Sequence, residues 1–223
     1  PFRRQRQMCI RDSLLIASTE VLDLDEELYR QGEWSVRLYA EAMTPSSPRW
    51  MQGAKEMVES ASEDEVIEGL AEHISEVLMT DENLIIWGSG GTLTRIGGIC
   101  GLDPTLLGID ASIGRIQVGK DLDEGGLLEL LEGHNGGVTM LLSPMGGQGF
   151  LIGRGNLQIS PAVLQMAGPD SVLGVCTPSK LLSIRMLRIE TGDDELDSHY
   201  SEMKYLKVLQ GYRTTRILPI SVD

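Results

Sequence analysis

The feature that most constrains this chain is a recurring unit: a short apolar run, a glycine-rich turn, then a stretch of helical period. Residues 84–87 form one such run, followed by Gly88-Ser89-Gly90-Gly91-Thr92 and a helical stretch over about 93–100. Residues 106–110 and 113–118 read as strands, 124–131 as a helix and 138–142 as a strand. A longer glycine-rich segment comes next. A helix then begins at Pro161, whose ring suits a first helical turn. Residues 172–176 read as a strand, and 179–182 as at most a short helix. The chain closes with a pair of strands, 203–210 and 214–220, separated by Gly211-Tyr212-Arg213. Strands alternating with helices predict an α/β fold: a mostly parallel sheet, flanking helices and a terminal antiparallel strand pair.

The segment before residue 84 is less regular. Residues 14–18 have strand character. Residues 23–32 read as a short helix, with Asp23 as cap and Gly32 as stop. Apolar and polar residues alternate over 35–42, as in a strand with one buried face. Pro45, Ser46, Ser47 and Pro48 form a break. Ser62-Glu63-Asp64-Glu65 is a capping box, and Val66, Ile67, Leu70, Ile74, Val77 and Leu78 make one apolar stripe behind it. The first thirteen residues, PFRRQRQMCIRDS, set four arginines against one aspartate in an otherwise acidic chain. Arg3 to Ser13 looks like the translation of a transposase adaptor used in preparing sequencing libraries. We expect 1–13 to be a scar with no structural role.

Charge narrows the function. Lys+Arg number 19 and Asp+Glu 33, a formal net charge of −14. Proteins that bind nucleic-acid backbones need clustered cations, so such a partner is not expected. Aromatics, at 4%, are too few for base-stacking platforms. No apolar run approaches the ~20 residues that span a bilayer, so no membrane partner is expected either. Small phosphorylated ligands remain open, because backbone N–H groups and a few local cations can hold them. Cys9, Cys100 and Cys176 lie far apart with no CxxC pair, which suggests neither a zinc site nor a disulfide framework. Buried thiols in a reducing, cytoplasmic compartment are the simpler reading.

The glycine-rich loops are the candidate ligand sites. In the first, Gly88, Gly90 and Gly91 let backbone approach a ligand, Ser89 and Thr92 offer hydroxyls, and a helix N-terminus follows. This is neither of the standard phosphate-loop fingerprints, and a tight strand-to-helix turn is an equal alternative. The second loop runs over 143–156. It holds Gly146, Gly147, Gln148 and Gly149, then Arg154 and Asn156. Ordinary connectors span ~2–6 residues, and long glycine-rich ones are more often binding loops. Arg154 offers a two-pronged donor for phosphate or carboxylate; Gln148 and Asn156 could read an amide, a ribose or a base edge. The alternative is a glycine-rich turn with a solvated arginine. Asp110, placed at a strand end, is the candidate catalytic carboxylate or Mg²⁺ holder, with a turn-forming aspartate as the alternative. Asp121, Asp123 and Glu124 read as a helix-capping cluster rather than a metal site, and Thr191-Gly192-Asp193-Asp194 as a turn and cap. No resident metal site is expected from the sequence.

Several stretches together carry a family resemblance: EVLDLDEELYRQG (20–32), VRLYAEAMTP (36–45), GSGGT (88–92), TLLGID (105–110), SPMGGQGFLIGRGNLQISP (143–161) and TGDDELD (191–197). They resemble the C-terminal part of the ATP-NAD kinase family, in its AcoX-like branch. The resemblance covers nearly everything from residue 20, and the long GGQGF to ISP stretch is its most specific part. It implies an NAD kinase-like C-terminal region over 61–223, with 14–60 a remnant of the preceding kinase region. For the complete protein it implies phosphorylation of NAD⁺ to NADP⁺ by ATP with Mg²⁺, with small-molecule nucleotides as partners and a homo-oligomer as an open option. The family's GGDGT nucleotide loop, whose Asp is linked to phosphoryl transfer, is expected upstream of the matched region. GSGGT has Gly90 where that Asp would stand. The chain as given is therefore expected to be inactive alone. A non-catalytic nucleotide-binding module and a kinase for another small alcohol are the competing readings.

Overall fold

A computed structural model describes residues 15–24, 36–46, 61–145 and 147–222. The chain divides into two compact units, residues 1–58 and 59–223. Residues 1–13, where a scar is expected, lie outside the described residues.

In the first unit, β1 (Leu15–Leu24) pairs antiparallel with β2 (Val36–Ser46), with a register irregularity at Val21/Leu22. The expected strand at 14–18 is longer than its apolar run. Asp23 and Leu24 lie within it, opposite Arg37 and Val36, instead of opening a helix; residues 25–32 of that expected helix fall outside the described residues. Pro45 also lies inside β2 and not in a break. A two-stranded sheet leaves each strand an outer edge, where a missing N–H costs no ladder bond.

The second unit is built on a nine-stranded sheet flanked by helices. Helix α1 (Ala61–His73) runs into a π-helical turn, Ile74–Leu78. Then come β3 (Asn83–Trp87), α2 (Gly91–Ile99), β4 (Asp110–Ile113), β5 (Ile116–Gly119), α3 (Glu124–Glu132), β6 (Gly137–Leu142) and β7 (Phe150–Ile152). Helix α4 (Pro161–Ala167), β8 (Val172–Val175), α5 (Pro178–Leu181), β9 (Leu187–Ile189), α6 (Asp194–Met203), β10 (Tyr205–Gly211) and β11 (Thr214–Val222) complete it. The strand order is β5-β4-β3-β6-β8-β10-β11-β9-β7. Strands β3, β6, β8 and β10 are parallel neighbours, and β11, β9 and β7 are parallel to one another. The pair β10–β11 is antiparallel, as expected for the chain terminus.

The central strands feed two cores, which is why they read as continuous apolar runs and not as alternating ones. Leu84 and Ile86 of β3 pack with Met140 and Leu142 of β6, Leu127 and Leu131 of α3, and Val163 and Leu164 of α4. Ile85 and Trp87 pack on the other face with Ile67, Leu70 and Ile74 of the α1 segment and Leu93 and Ile96 of α2. The sheet is the middle layer. Side-chain caps set the helix starts: Asp123 Oδ1 accepts from Gly126 N at 2.8 Å, Ser160 Oγ from Val163 N at 3.3 Å, and Asp193 Oδ1 from Leu196 N at 3.0 Å.

Three expectations need correction. Residues 106–109 are not a strand; β4 begins at Asp110 and runs antiparallel to β3. The expected strand 113–118 is split by the Gly114-Arg115 turn into β4 and β5. The apolar stripe of α1 also fails at its end. Val77 is 45% exposed, and Met79 is buried instead. The π-turn inserts one residue per turn and rotates the stripe away from a 3.6-residue period.

Candidate functional site

Three neighbouring parallel strands, β3, β6 and β8, end on one edge of the sheet, so the segments following them emerge together. In open α/β sheets this carboxyl edge is where ligands bind. The first glycine loop follows β3 and the second follows β6. They meet where Ser89 Oγ donates to the Gly155 carbonyl at 3.5 Å, and Gly88 N extends the β3–β6 pairing by donating to Leu141 O at 2.9 Å.

The first loop turns sharply at Gly90, whose φ of 112° and ψ of 151° lie outside the range of residues with a Cβ. Its N–H donates to Leu106 O at 2.8 Å. A Cβ there would meet nothing within 4 Å, so the demand for glycine comes from the backbone and not from crowding. Gly91 and Thr92, both half-buried, open α2, which has no side-chain cap. The terminus of α2 therefore faces this edge without a built-in acceptor.

The second loop leads into β7, the last strand in the sheet order, which pairs with β9. Met145 N donates to Phe150 O at 2.7 Å, Arg188 N to Gly149 O at 2.8 Å, and Glu190 N to Ile152 O at 3.1 Å. At Gly153 φ is 105°, and a Cβ would lie 2.3 Å from the Glu190 carbonyl oxygen. Gly147 differs: a Cβ there would meet nothing within 4 Å, and the residue is exposed beside exposed Gln148. Gly146 lies outside the described residues. Asn156 is buried, and its amide is used within the loop. Its Nδ2 donates to Leu151 O at 2.9 Å and its Oδ1 accepts from Gly153 N at 3.1 Å. Arg154 is 61% exposed at its side chain, pairs with Glu190 at 3.3 Å and lies 4.1 Å over the Phe150 ring.

Asp110 reaches the same edge by another route. It pairs with Trp87, the last residue of β3, because β4 is antiparallel. Its side chain is 3% exposed. One carboxylate oxygen accepts from Thr105 N at 2.6 Å and Thr105 Oγ1 at 3.0 Å; the other accepts from Asp121 N at 3.0 Å. Thr94 Oγ1 donates to Thr105 O at 3.1 Å, which ties this knot to α2. Asp110 thus holds the 102–109 segment beside the first loop.

A third segment, which the sequence analysis does not single out, follows the neighbouring strand β8. After β8 come Cys176, Thr177, Pro178, Ser179 and Lys180. Lys180 Nζ donates to Ser143 Oγ, at the end of β6, at 3.2 Å. The Thr177 and Ser179 hydroxyls are 3.1 Å apart. A strand followed by Thr-Pro-Ser-Lys is the available signal, and the short helix expected over 179–182 lies at Pro178–Leu181. Burial pushes the Cys176 thiol up to about 11, against the opposing pull of Lys180, and burial likewise raises Cys100 to about 11. Both stay protonated at neutral pH and are poor nucleophiles.

Among the described residues no group of three or more His, Cys, Asp or Glu could hold a metal ion. The Asp110 carboxylate is already taken up by three donors. These residues do not fit a protein-held Mg²⁺.

Fold and edge together define an open α/β domain whose glycine-rich loops follow neighbouring parallel strands. The family model of the ATP-NAD kinase C-terminal domain matches residues 80–220, and the chain belongs to that family. Comparisons with curated proteins and with solved structures each gave no match. The family implies ATP and NAD as substrates and a divalent metal. Among the described residues no helix is long and apolar enough to cross a membrane.

Proposed function

We propose that this protein is a cytoplasmic, AcoX-like NAD kinase in which residues 61–223 form the dinucleotide-binding part of a site that phosphorylates NAD⁺ to NADP⁺ with ATP. The observation carrying this reading is the Ser89–Gly155 contact, which brings two glycine loops of neighbouring parallel strands to one edge. Gly90, Gly91 and Thr92 would offer N–H groups to a phosphate, and exposed Gly147 and Gln148 would line the approach from the second loop. Arg154 would add a guanidinium at the rim. Asn156 and Asp110 act as positioning residues, since their polar atoms are engaged in holding the two loops. The free, buried thiols of Cys100 and Cys176 suit a reducing compartment.

Phosphoryl transfer is a matter of positioning and charge stabilisation. The sequence has no GGDGT, and Gly90 stands where its Asp would be. The backbone at Gly90 also excludes an aspartate without strain, so GSGGT is a loop of different design. This favours a second reading for the chain as given: a nucleotide-binding module without turnover of its own. Calorimetric titration of the 223-residue chain with NAD⁺ and with ATP, alongside an assay of NADP⁺ formation, tests both. Saturable NAD⁺ binding without NADP⁺ formation is expected. No binding of either nucleotide would remove the proposal, and turnover would remove the module reading.

A further inference from the structure

The chain has three asparagines, and the fold treats them differently. Asn83, in β3, is half-buried with its amide engaged: Nδ2 donates to Leu78 O at 2.8 Å and Oδ1 accepts from Thr139 Oγ1 at 3.3 Å. Asn156 is buried, and its amide holds the second loop. Leucine follows each of these two. Asn135 is exposed, lies between α3 and β6 in neither helix nor strand, and is followed by Gly136. Among the described residues its side-chain amide has no hydrogen-bond partner, and neither does the Gly136 N–H. The neighbours on both sides are pinned. His134 N donates to Leu131 O at 3.2 Å, His134 Nε2 lies 3.0 Å from Gly137 O, and Gly137 N donates to Glu82 O at 2.9 Å. A Cβ on Gly136 would overlap the Glu82 carbonyl oxygen and lie 2.8 Å from His134 Nε2. The turn into β6 therefore demands glycine at this position. That demand has a chemical consequence. A side chain after an asparagine shields the next backbone nitrogen, and glycine leaves it open.

We propose that Asn135 is a site of spontaneous covalent modification by water, built into the turn that starts β6. The Gly136 backbone nitrogen attacks the side-chain carbonyl carbon of Asn135, and the new C–N bond closes a five-membered succinimide. The bond from that carbon to the side-chain nitrogen breaks. The nitrogen leaves as ammonia, carrying in net terms the proton lost from the Gly136 N–H. Water then adds to one of the two ring carbonyls and breaks its bond to the ring nitrogen. Opening at the side-chain carbonyl leaves an aspartyl residue at position 135. Opening at the backbone carbonyl leaves an isoaspartyl residue, whose main chain carries one extra methylene. The sum is hydrolysis of an amide by water, with no oxidant or reductant. Either product adds a negative charge. The isoaspartyl product also lengthens the chain just ahead of Gly137, which pairs with Asn83 at the start of the β3–β6 ladder. That ladder carries both glycine loops at its other end, so the strain falls on their shared support.

The test ages the whole 223-residue chain in buffer at neutral and at mildly alkaline pH and reads its tryptic peptides by tandem mass spectrometry. The peptide of residues 121–154 holds Asn135 as its one asparagine. A gain of one mass unit localised to position 135 is expected. It should come faster at alkaline pH, because base removes the Gly136 N–H proton, and positions 83 and 156 should stay unchanged. Asn135→Gln, which would have to close a larger ring, should stay unmodified over the same period. Conversion at position 135 in the urea-unfolded chain but not in the folded one would overturn the proposal, since the pinned turn would then forbid ring closure. Equal conversion at all three asparagines of the folded chain would overturn it as well. Urea midpoints separate the charge from the backbone change. The aged chain should unfold at lower urea than the fresh chain, while Asn135→Asp, which adds the charge without the methylene, should match the fresh chain. An aged, isoaspartyl-containing chain with the midpoint of the fresh one would overturn the link to β6.

Discussion

At the residue scale, the glycines of one loop divide into two kinds. Gly153 combines φ of 105° with a Cβ position 2.3 Å from a backbone oxygen of Glu190. That oxygen belongs to a segment pinned to β7 by its own N–H, so it cannot easily give way. Gly153→Ala should cost at least about 1–3 kcal/mol of stability, read as a lower urea midpoint. Gly147→Ala meets no atom within 4 Å and should change stability by less than about 0.5 kcal/mol. If Gly147 faces ligand, the same substitution should weaken NAD⁺ binding; unchanged binding would make it a plain turn residue. Arg154 gives a complementary case. Its exposed pair with Glu190 contributes little to stability, about 0–1 kcal/mol. Arg154→Ala should leave the urea midpoint nearly unchanged while weakening NAD⁺ or ATP roughly ten- to hundredfold. Arg154→Lys should recover only part, because an ammonium lacks the fork. Equal affinities for both nucleotides in folded Arg154→Ala would reduce Arg154 to a surface residue.

At the scale of elements, the β10–β11 hairpin docks on the end of α1 through a titratable contact. Arg213 N donates to His73 Nδ1 at 3.3 Å, the His73 ring meets Tyr212 edge-on, and Tyr212 Oη donates to Glu76 at 2.8 Å. Burial, and next the Arg213 charge, hold His73 below its ordinary value of 6.5, while Glu76 acts in the opposite sense. The folded chain therefore binds fewer protons here than the unfolded chain. This contribution is complete above the ordinary value and is lost as pH falls from there through the folded-state value. Urea midpoints between pH 7.5 and 5.5 should show stability falling with pH, and His73→Gln, which can still accept from Arg213, should flatten that slope. An unchanged slope would remove His73 from the contact's energetics. The same region shows what a sequence can and cannot reveal. The apolar stripe of α1 was legible through Ile74, because its period is set by one helix. The π-turn that follows is decided by how the segment packs, and no residue type announces it. Likewise β3 and β6 were legible as buried apolar runs. The three-residue strands β7 and β9 were not, since their pairing is set by partners distant in sequence. The Gly114-Arg115 turn is legible in the sequence, as a glycine and an arginine that interrupt the apolar residues of 113–118.

At the scale of the molecule, two loops at one edge were inferable because successive parallel strands must deliver their following segments to the same side. That Lys180 reaches Ser143 was not, since the order β6-β8 is a property of the assembled sheet. Charge acts at this scale too. The chain carries a net charge of −14, and Arg154 near the edge is paired with Glu190. An anionic nucleotide approaching from bulk therefore meets repulsion at long range and attraction only within the last few ångströms. Salt screens the long-range part first, because the Debye length is about 10 Å at 0.1 M and contacts inside a loop cluster are screened less. Association should therefore quicken as salt rises from 20 to about 200 mM, the reverse of an electrostatically steered encounter. ATP, which carries more negative charge than NAD⁺, should show the larger acceleration. Stopped-flow measurement of both association rates across that range decides the matter. Rates that fall with salt would mean that the edge projects a positive field strong enough to outweigh the acidic remainder of the chain.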